Sequence, residues 1–251
     1  MEPARILRRK LENKQPAIGL LFSYHLWLDA IEMAIEVGLD YIIVDSEHLD
    51  HGGREMADAC SAGRMAGFPV IVRPTATDLD TIRLAMDLGP CGLLLPMVES
   101  TQQLDEVQKG IYMPPRGERR PGGRGNRWLR QFGYEPFRSI VEDHLIVIPQ
   151  IESPKGLEQV DAIARHPIVT ALGIGPFDLS ARLGVCWEPD HPKIVQAKQK
   201  IRHAAEEAGK PMWVIGDPRK CAADGYTFIC AGEPIGLLQG LIKGILDDVR
   251  G

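Results

Sequence analysis

Two carboxylates stand where apolar segments of this sequence end, and together they can hold a divalent cation. Glu152 ends the segment LIVIPQIE, and Asp178 lies two residues after the segment TALGIGP. Neither has a cysteine or a pair of histidines nearby, so the ligands are hard oxygen atoms, which Mg²⁺ and Mn²⁺ prefer. The same positions also allow structural roles: Asp178 could cap the helix that begins at DLSARLG, and Glu152 could pair with an arginine.

A second group of ionisable residues follows two other apolar segments. Asp45, Glu47 and His48 come after YIIV, and Arg73 ends VIVR. An imidazole oriented by Asp45 can act as a general base near neutral pH, and the Arg73 guanidinium can bind a carboxylate at two points. The alternatives are a buried ion pair between Arg73 and Asp45 or Glu47, and a His48 that is simply a hydrogen-bonded polar residue.

Two other catalytic chemistries lack the residues that they need. An aldolase that forms a Schiff base needs a lysine in its site, and none of the eight apolar segments contains one, Lys155 being the nearest. The Gly-x-Ser-x-Gly turn of a serine nucleophile is also missing from the sequence.

Apolar and amphipathic segments alternate along the chain. Eight short runs rich in Val, Ile and Leu predict parallel strands buried on both faces, and the stretches between them have helical periodicity, with Asp78 and Ser153 as caps. This alternation predicts one domain, residues 1–251, folded as a (β/α)8 TIM barrel, whose active site lies at the carboxyl ends of the strands. An open doubly wound sheet is the alternative, but FSYHLWLD stands where that fold has a glycine-rich turn. The predicted strands are 17–23, 41–46, 69–74, 92–98, 145–152, 170–176, 211–216 and 226–232.

Composition narrows the classes of partner. The 251 residues are 44% hydrophobic and carry a formal net charge of -5 that is spread along the chain, so we expect no nucleic acid partner. The sequence has no run of about 18 apolar residues and no signal peptide, which indicates a cytoplasmic protein without a membrane partner. One insertion, residues 113–140, is rich in Gly, Pro and Arg, and we expect a long functional or disordered loop there.

Several motifs in the same order resemble those of a known family, the class II pyruvate aldolases of the HpcH/HpaI group. The similar segments are GLDYIIVDSEH, VIVRPTATDLDTIRLAMDLGPCGLLLPMVES, YMPPRGERR, IPQIESPKGLEQVDAIA and IGPFDLSARLG. The resemblance implies that Glu152 and Asp178 bind a divalent metal (Mg²⁺, Mn²⁺ or Co²⁺). It also implies that Arg73 stabilises the pyruvate enolate, and that His48, oriented by Asp45, acts through a water as acid and base.

The resemblance also implies roles outside that group. Gln150, with backbone around Gly175 and Phe177, would line the pyruvate pocket, and Asp87 matches an acid that family members contribute across a subunit interface. Related barrels are hexamers that exchange their last helix, so we expect a homo-oligomer (a hexamer or trimer of dimers). The sequence departs from the family at the arginine-rich loop, at Phe177 and at Glu233, all on the aldehyde side of the pocket.

The leading hypothesis is therefore a metal-dependent aldolase that reversibly cleaves a 4-hydroxy-2-oxo acid to pyruvate (or a close 2-oxo acid) and an aldehyde. An alternative is a lyase like citrate lyase β or malyl-CoA lyase, for which the arginines of 116–130 would supply a CoA surface. A second alternative is a binding barrel without activity.

Overall fold

The structure, a computed structural model, describes residues 1–48 and 52–251 and forms a closed barrel of eight parallel strands in chain order. The ladder closes where Ala17 pairs with Phe228, which excludes the open sheet. Each predicted strand segment contains one observed strand, because a strand covered on both faces is a continuous apolar run. The strands are β1 Ala17–Phe22, β2 Tyr41–Asp45, β3 Val70–Arg73, β4 Gly92–Leu95, β5 Ile146–Ile151, β6 Leu172–Ile174, β7 Met212–Ile215 and β8 Phe228–Cys230.

Helices surround the barrel, and their ends follow the capping residues of the sequence. The Asp78 side chain accepts a hydrogen bond from the backbone N–H of Thr81, and Ser153 accepts one from that of Gly156. The stretch after Ser153 is divided into two short helices at Gln159. The helices are α1 Glu2–Glu12, α2 Leu28–Glu36, α3 Gly53–Ala66, α4 Leu79–Asp87, α5 Thr101–Ile111, α6 Tyr134–Ile140, α7 Pro154–Glu158, α8 Val160–Arg165, α9 Pro176–Arg182, α10 Pro192–Glu207, α11 Pro218–Ala223 and α12 Pro234–Arg250. None of the described helices is long and apolar enough to cross a membrane.

The insertion rich in Gly, Pro and Arg is more ordered than a plain loop. It contains the 3₁₀ helix Arg124–Trp128 as well as α6. Arg119 is fully buried within it, where Nη2 donates to the backbone oxygen of Met86 at 3.3 Å and to Asp87 Oδ1 at 3.1 Å, and the guanidinium lies 5.8 Å from the ring centre of Phe137. This buried arginine fastens the insertion to the end of α4.

The amino-terminal part of the barrel interior is filled by large side chains. The Tyr41 hydroxyl donates to the backbone oxygen of Ile229 at 2.7 Å and accepts from Trp213 Nε1 at 3.0 Å. Gly19 makes room for this ring, since a Cβ there would come within 2.6 Å of it. The polar groups that can meet a ligand are therefore found toward the other end of the strands.

Candidate active site

The carboxyl ends of neighbouring strands bring polar side chains to one mouth of the barrel. Asp45 and Arg73 are the last residues of β2 and β3 and are paired in register. Gln150 lies near the end of β5, and Glu152 follows that strand directly. Asp178 lies in the first turn of α9, just beyond β6. Five of the residues selected from the sequence thus stand at the same end of the barrel.

Arg73 and Asp45 form a buried ion pair at this mouth. Arg73 Nε donates to Asp45 Oδ1 at 2.7 Å, and Nη2 donates to Oδ2. The Ser23 hydroxyl (2.8 Å) and the backbone N–H of Glu47 (2.9 Å) also donate to this carboxylate. Burial acts to raise the pKa of Asp45, but the hydrogen bonds and charge of Arg73 outweigh it and hold the pKa below its usual value. This ion pair is one of the structural roles that the sequence allowed, and it fixes the direction of the guanidinium.

Gln150 connects the arginine to the candidate metal ligand Glu152. Arg73 Nη1 donates to Gln150 Oε1 at 3.4 Å, and Gln150 Nε2 donates to Glu152 Oε2 at 3.2 Å. Asp45 is fully buried and the other three are at most 5% exposed, so this chain of contacts is screened little by solvent.

The Glu152 carboxylate occupies a closely fitted position. Its Oε1 accepts a 2.6 Å hydrogen bond from the backbone N–H of Met97, a residue with a φ of +50°. Its Oε2 lies over Gly175, where an added Cβ would come within 1.9 Å of that oxygen. The glycine therefore makes the space that this carboxylate fills.

The carboxylates at the mouth carry more negative charge than the Arg73 guanidinium can balance. The pKa of Glu152 is raised to about 7, mainly by burial and also by the charges of Glu47 and Asp178, while the Met97 N–H and Arg73 act against this rise. Burial and the nearby Asp178 also raise the pKa of Glu47. Three acids thus share this region with an arginine that is already paired.

These donors fit a divalent cation. Glu47 Oε2 is buried and has no hydrogen-bond partner, although Arg73 Nη1 lies 3.3 Å away. The amino-terminal cap of α9 is Gly175, so Asp178 is not that cap and its carboxylate is exposed at the mouth. Within residues 1–48 and 52–251, no group of three or more His, Cys, Asp or Glu side chains is arranged around one ion. Glu152 and Asp178 could hold such a cation, with water and substrate oxygens completing its shell.

His48 lies at the same mouth, but its carboxylate neighbour is Glu47 and not Asp45, the residue that the resemblance implies. Its side chain is 53% exposed, and Nε2 lies 3.8 Å from Glu47 Oε2. The Asp45 oxygens are occupied by Arg73, Ser23 and a backbone N–H, so the carboxylate that approaches the imidazole is Glu47. Residues 49–51, directly after His48, lie outside the described residues.

Glu47 is the site residue that the sequence reasoning left without a functional role. It appeared there only as a possible partner of Arg73. Its position between Asp45 and His48, at one strand end, was the available signal. Its contacts to both Arg73 and His48 depend on side-chain directions that spacing alone does not give.

Asp87 is not brought to this mouth by its own chain. It ends α4, which leads into the start of β4 and therefore into the opposite face of the barrel. There it accepts the hydrogen bond from Arg119. A role of Asp87 in substrate binding thus requires a second copy of the chain.

Three arginines of the insertion pair with separate acidic residues. These pairs are Arg116 with Asp143 (2.7 Å), Arg119 with Asp87 (3.1 Å) and Arg124 with Asp58 (2.8 Å).

Glu233 is another position where the sequence departs from the family that it resembles. It caps α12, because its side chain accepts a hydrogen bond from the backbone N–H of Gly236 at 2.9 Å.

Comparison with known proteins finds similar sequences and structures that are named aldolases. The chain is 31% identical over 216 residues to a hydroxypyruvate/pyruvate aldolase of Chromohalobacter salexigens, covering 84% of each chain. It is 32% identical over 222 residues to a 2-keto-3-deoxy-L-rhamnonate aldolase of Klebsiella pneumoniae, covering 82% of this chain and 81% of that one. The crystal structure of an HpcH/HpaI aldolase from Desulfitobacterium hafniense superposes with a TM-score of 0.87 at 28% identity, over 96% of this chain and 95% of that one.

The profile of one protein family covers most of the barrel. Residues 20–238 match the family described as HpcH/HpaI aldolase/citrate lyase. The match includes every strand from Leu20 in β1 to β8 and all the residues at the mouth. The relatives named aldolases are carbon–carbon lyases. The chain belongs to the HpcH/HpaI aldolase/citrate lyase family.

Proposed function

We propose that this enzyme reversibly cleaves a 4-hydroxy-2-oxo acid to pyruvate, or a close 2-oxo acid, and an aldehyde, with a divalent metal as cofactor. The observation that carries the proposal is the buried chain from Asp45 through Arg73 and Gln150 to Glu152, which lies beside excess carboxylate charge. It supports the proposal because the Arg73 guanidinium and the carboxylate of Glu152, which we propose as a metal ligand, lie close together at the barrel mouth.

Glu152 and Asp178 are the proposed metal ligands. A bound Mg²⁺, Mn²⁺ or Co²⁺ would supply Lewis-acid stabilisation for negative charge on the 2-oxo acid. The chain itself positions Glu152 through the Met97 N–H and the Gln150 amide, so the carboxylate is held ready for a ligand.

Arg73 is the proposed group that stabilises the enolate oxygen of pyruvate. Its Nε and Nη2 are held by Asp45, whereas its Nη1 makes longer contacts of 3.3 to 3.4 Å. Nη1 is therefore the nitrogen that can donate to a substrate oxygen. The amide of Gln150 and the backbone around Gly175 and Phe177 are proposed to line the pyruvate pocket.

His48 is the proposed acid and base. During cleavage, a base removes the proton of the C4 hydroxyl, the C3–C4 bond breaks to give the aldehyde, and the enolate carbon of pyruvate then takes up a proton. We assign the first transfer to His48, acting through water, with Glu47 rather than Asp45 as the nearer carboxylate. Asp45 then supports the site by holding Arg73.

We further propose that the enzyme is a homo-oligomer, a hexamer built as a trimer of dimers. No residue of α12 is buried, although one face of this described helix is apolar, and a second copy of the chain would cover that face. A Leu241→Asp, Ile245→Asp variant is expected to sediment as a smaller species, and an unchanged mass would contradict the assignment. The exposed apolar side chains are Leu237, Leu238, Leu241, Ile242, Ile245, Leu246 and Val249.

A substrate panel tests the proposed reaction. The metal-loaded enzyme is expected to release pyruvate from one or more 4-hydroxy-2-oxo acids, and borohydride with pyruvate is expected to add no mass, since Lys155 is exposed and paired with Glu99 at 3.4 Å. An adduct on Lys155 would contradict the metal-dependent reaction. Binding of CoA by calorimetry would favour the CoA-lyase alternative.

A further inference from the structure

Two aromatic side chains form an exposed pair beside the candidate site. The rings of Phe177 and Trp187 have centres 5.1 Å apart and planes inclined at 45°. Phe177 is 48% exposed and Trp187 is 72% exposed, so the pair offers a large apolar surface to solvent. Such a surface is typical of a binding site.

The pair lies at the mouth of the barrel. Phe177 is in the first turn of α9 and directly precedes the proposed metal ligand Asp178. Trp187 lies between α9 and α10, and α10 then runs back to the start of β7. The segment before α10 is thus at the same end of the barrel as the carboxyl end of β6.

The backbone holds Trp187 in a conformation that bulky residues rarely adopt. Its φ is +64°, in the left-handed region that favours glycine. The buried Ser180 hydroxyl joins the two aromatic residues, because it donates to the backbone oxygen of Phe177 at 2.7 Å and accepts from the N–H of Trp187 at 3.1 Å. An exposed tryptophan in a strained backbone conformation adds little to the stability of the fold, and backbone strain of this kind is common at binding sites.

We propose that Phe177 and Trp187 form a platform that binds an apolar, preferably aromatic, substituent of the aldehyde. This inference rests on the proposed aldol reaction. The aldehyde carbon must reach the methyl carbon of pyruvate near the proposed metal ligands, and Phe177 directly precedes one of them, Asp178, in the first turn of α9. Two ring faces offer dispersion and edge-to-face contacts to such a group and few hydrogen bonds to a hydroxylated one.

The variant Trp187→Gly separates this role from a structural one. Glycine removes the ring and suits the left-handed backbone, so the melting temperature is expected to stay the same or rise. In the aldol direction with pyruvate, kcat/KM for benzaldehyde is expected to fall roughly three- to tenfold relative to that for glycolaldehyde. The change is expected in the KM for the aldehyde, because this contact is made before and during the reaction. Phe177→Ala is expected to act in the same direction.

Phe132→Ala is the matched control, since Phe132 is also 48% exposed and also pairs with another ring, that of Phe137 at 5.8 Å, but belongs to the insertion. This control is expected to leave the ratio of the two aldehydes unchanged. An equal effect of Trp187→Gly on both aldehydes would overturn the inference, as would a change in oligomeric mass without a change in selectivity. Absence of pyruvate proton exchange and of turnover in the unaltered enzyme would instead refute the aldol reaction, and the platform with it.

Discussion

Replacing Gly175 with alanine is expected to weaken metal binding, because the new methyl group would occupy the position of the Glu152 carboxylate. The added Cβ would lie 1.9 Å from Glu152 Oε2 and 2.8 Å from Glu152 Cβ. Real contacts of this kind are longer than 3 Å, so the carboxylate must move by more than 1 Å. It would then lose its fit to the Met97 N–H and the Gln150 amide, which now hold it at 2.6 and 3.2 Å.

A displacement of this size in the group that positions a metal is expected to lower its affinity on the order of 10- to 100-fold. Calorimetric titration with Mn²⁺ measures this loss directly, and melting temperature in the absence of metal reports damage to the fold. Gly133→Ala is the matched control, since Gly133 is likewise the amino-terminal cap of a helix, α6, and its Cβ would meet Pro136 at an ordinary 3.4 to 3.5 Å. If Gly175→Ala binds Mn²⁺ as tightly as the control does, Glu152 is not a metal ligand and the reasoning fails.

The other predictions concern the remaining parts of the site and the insertion. Arg73→Ala is expected to lower the rates of both pyruvate methyl-proton exchange and aldol cleavage on the order of 10²- to 10³-fold. His48→Ala is expected to lower the rate of the proton-transfer step about 10²- to 10⁴-fold while the Mn²⁺ affinity is retained. Near-normal turnover in both variants would refute these roles. The pKa of Glu152 is raised to about 7, and only the ionised carboxylate binds a metal, so the Mn²⁺ affinity is expected to fall as the pH drops below about 7. The affinity is measured between pH 5.5 and 8, roughly one and a half units below and one unit above that pKa. An affinity that does not change with pH over this range would contradict the assignment of Glu152 as a metal ligand. Arg119→Ala is expected to lower the free energy of unfolding by about 1–3 kcal/mol because it removes a buried side chain, while its neighbour Arg120, which is exposed, serves as the control; equal denaturation midpoints for the two alanine variants would show that Arg119 does not anchor the insertion.

The sequence predicts the barrel well because its strands are covered on both faces. A run such as YIIVD has no polar face, so it is read as a buried strand without any knowledge of its neighbours. The insertion is harder to predict, because a segment rich in glycine, proline and arginine lacks the apolar pattern that indicates a helix or a buried position. Its composition therefore indicates neither the short helix Tyr134–Ile140 nor the burial of Arg119. What holds that segment is a set of contacts to α4, which is distant in the sequence.

The site was predictable as a set of positions but not as a network. Asp45, Arg73, Gln150 and Glu152 were selected because strand ends meet at one mouth, and they do lie there. That Asp45 holds Arg73 while Glu47 approaches His48 depends on side-chain directions and on the register of β2 with β3. Spacing in the sequence leaves both arrangements open, so the roles assigned to these residues remain predictions for experiment.

The most direct test of the account is the exchange of pyruvate methyl protons into D₂O, followed by proton NMR in the chelated enzyme and after metal is restored. Exchange requires formation of the enolate but no aldehyde, so it tests the proposed metal site and Arg73 without knowledge of the substrate. A metal site formed by Glu152 and Asp178 predicts loss of exchange on chelation, recovery with Mg²⁺, Mn²⁺ or Co²⁺, and no recovery when these two residues are changed to Gln and Asn. Exchange that continues undiminished in the fully chelated enzyme would contradict it.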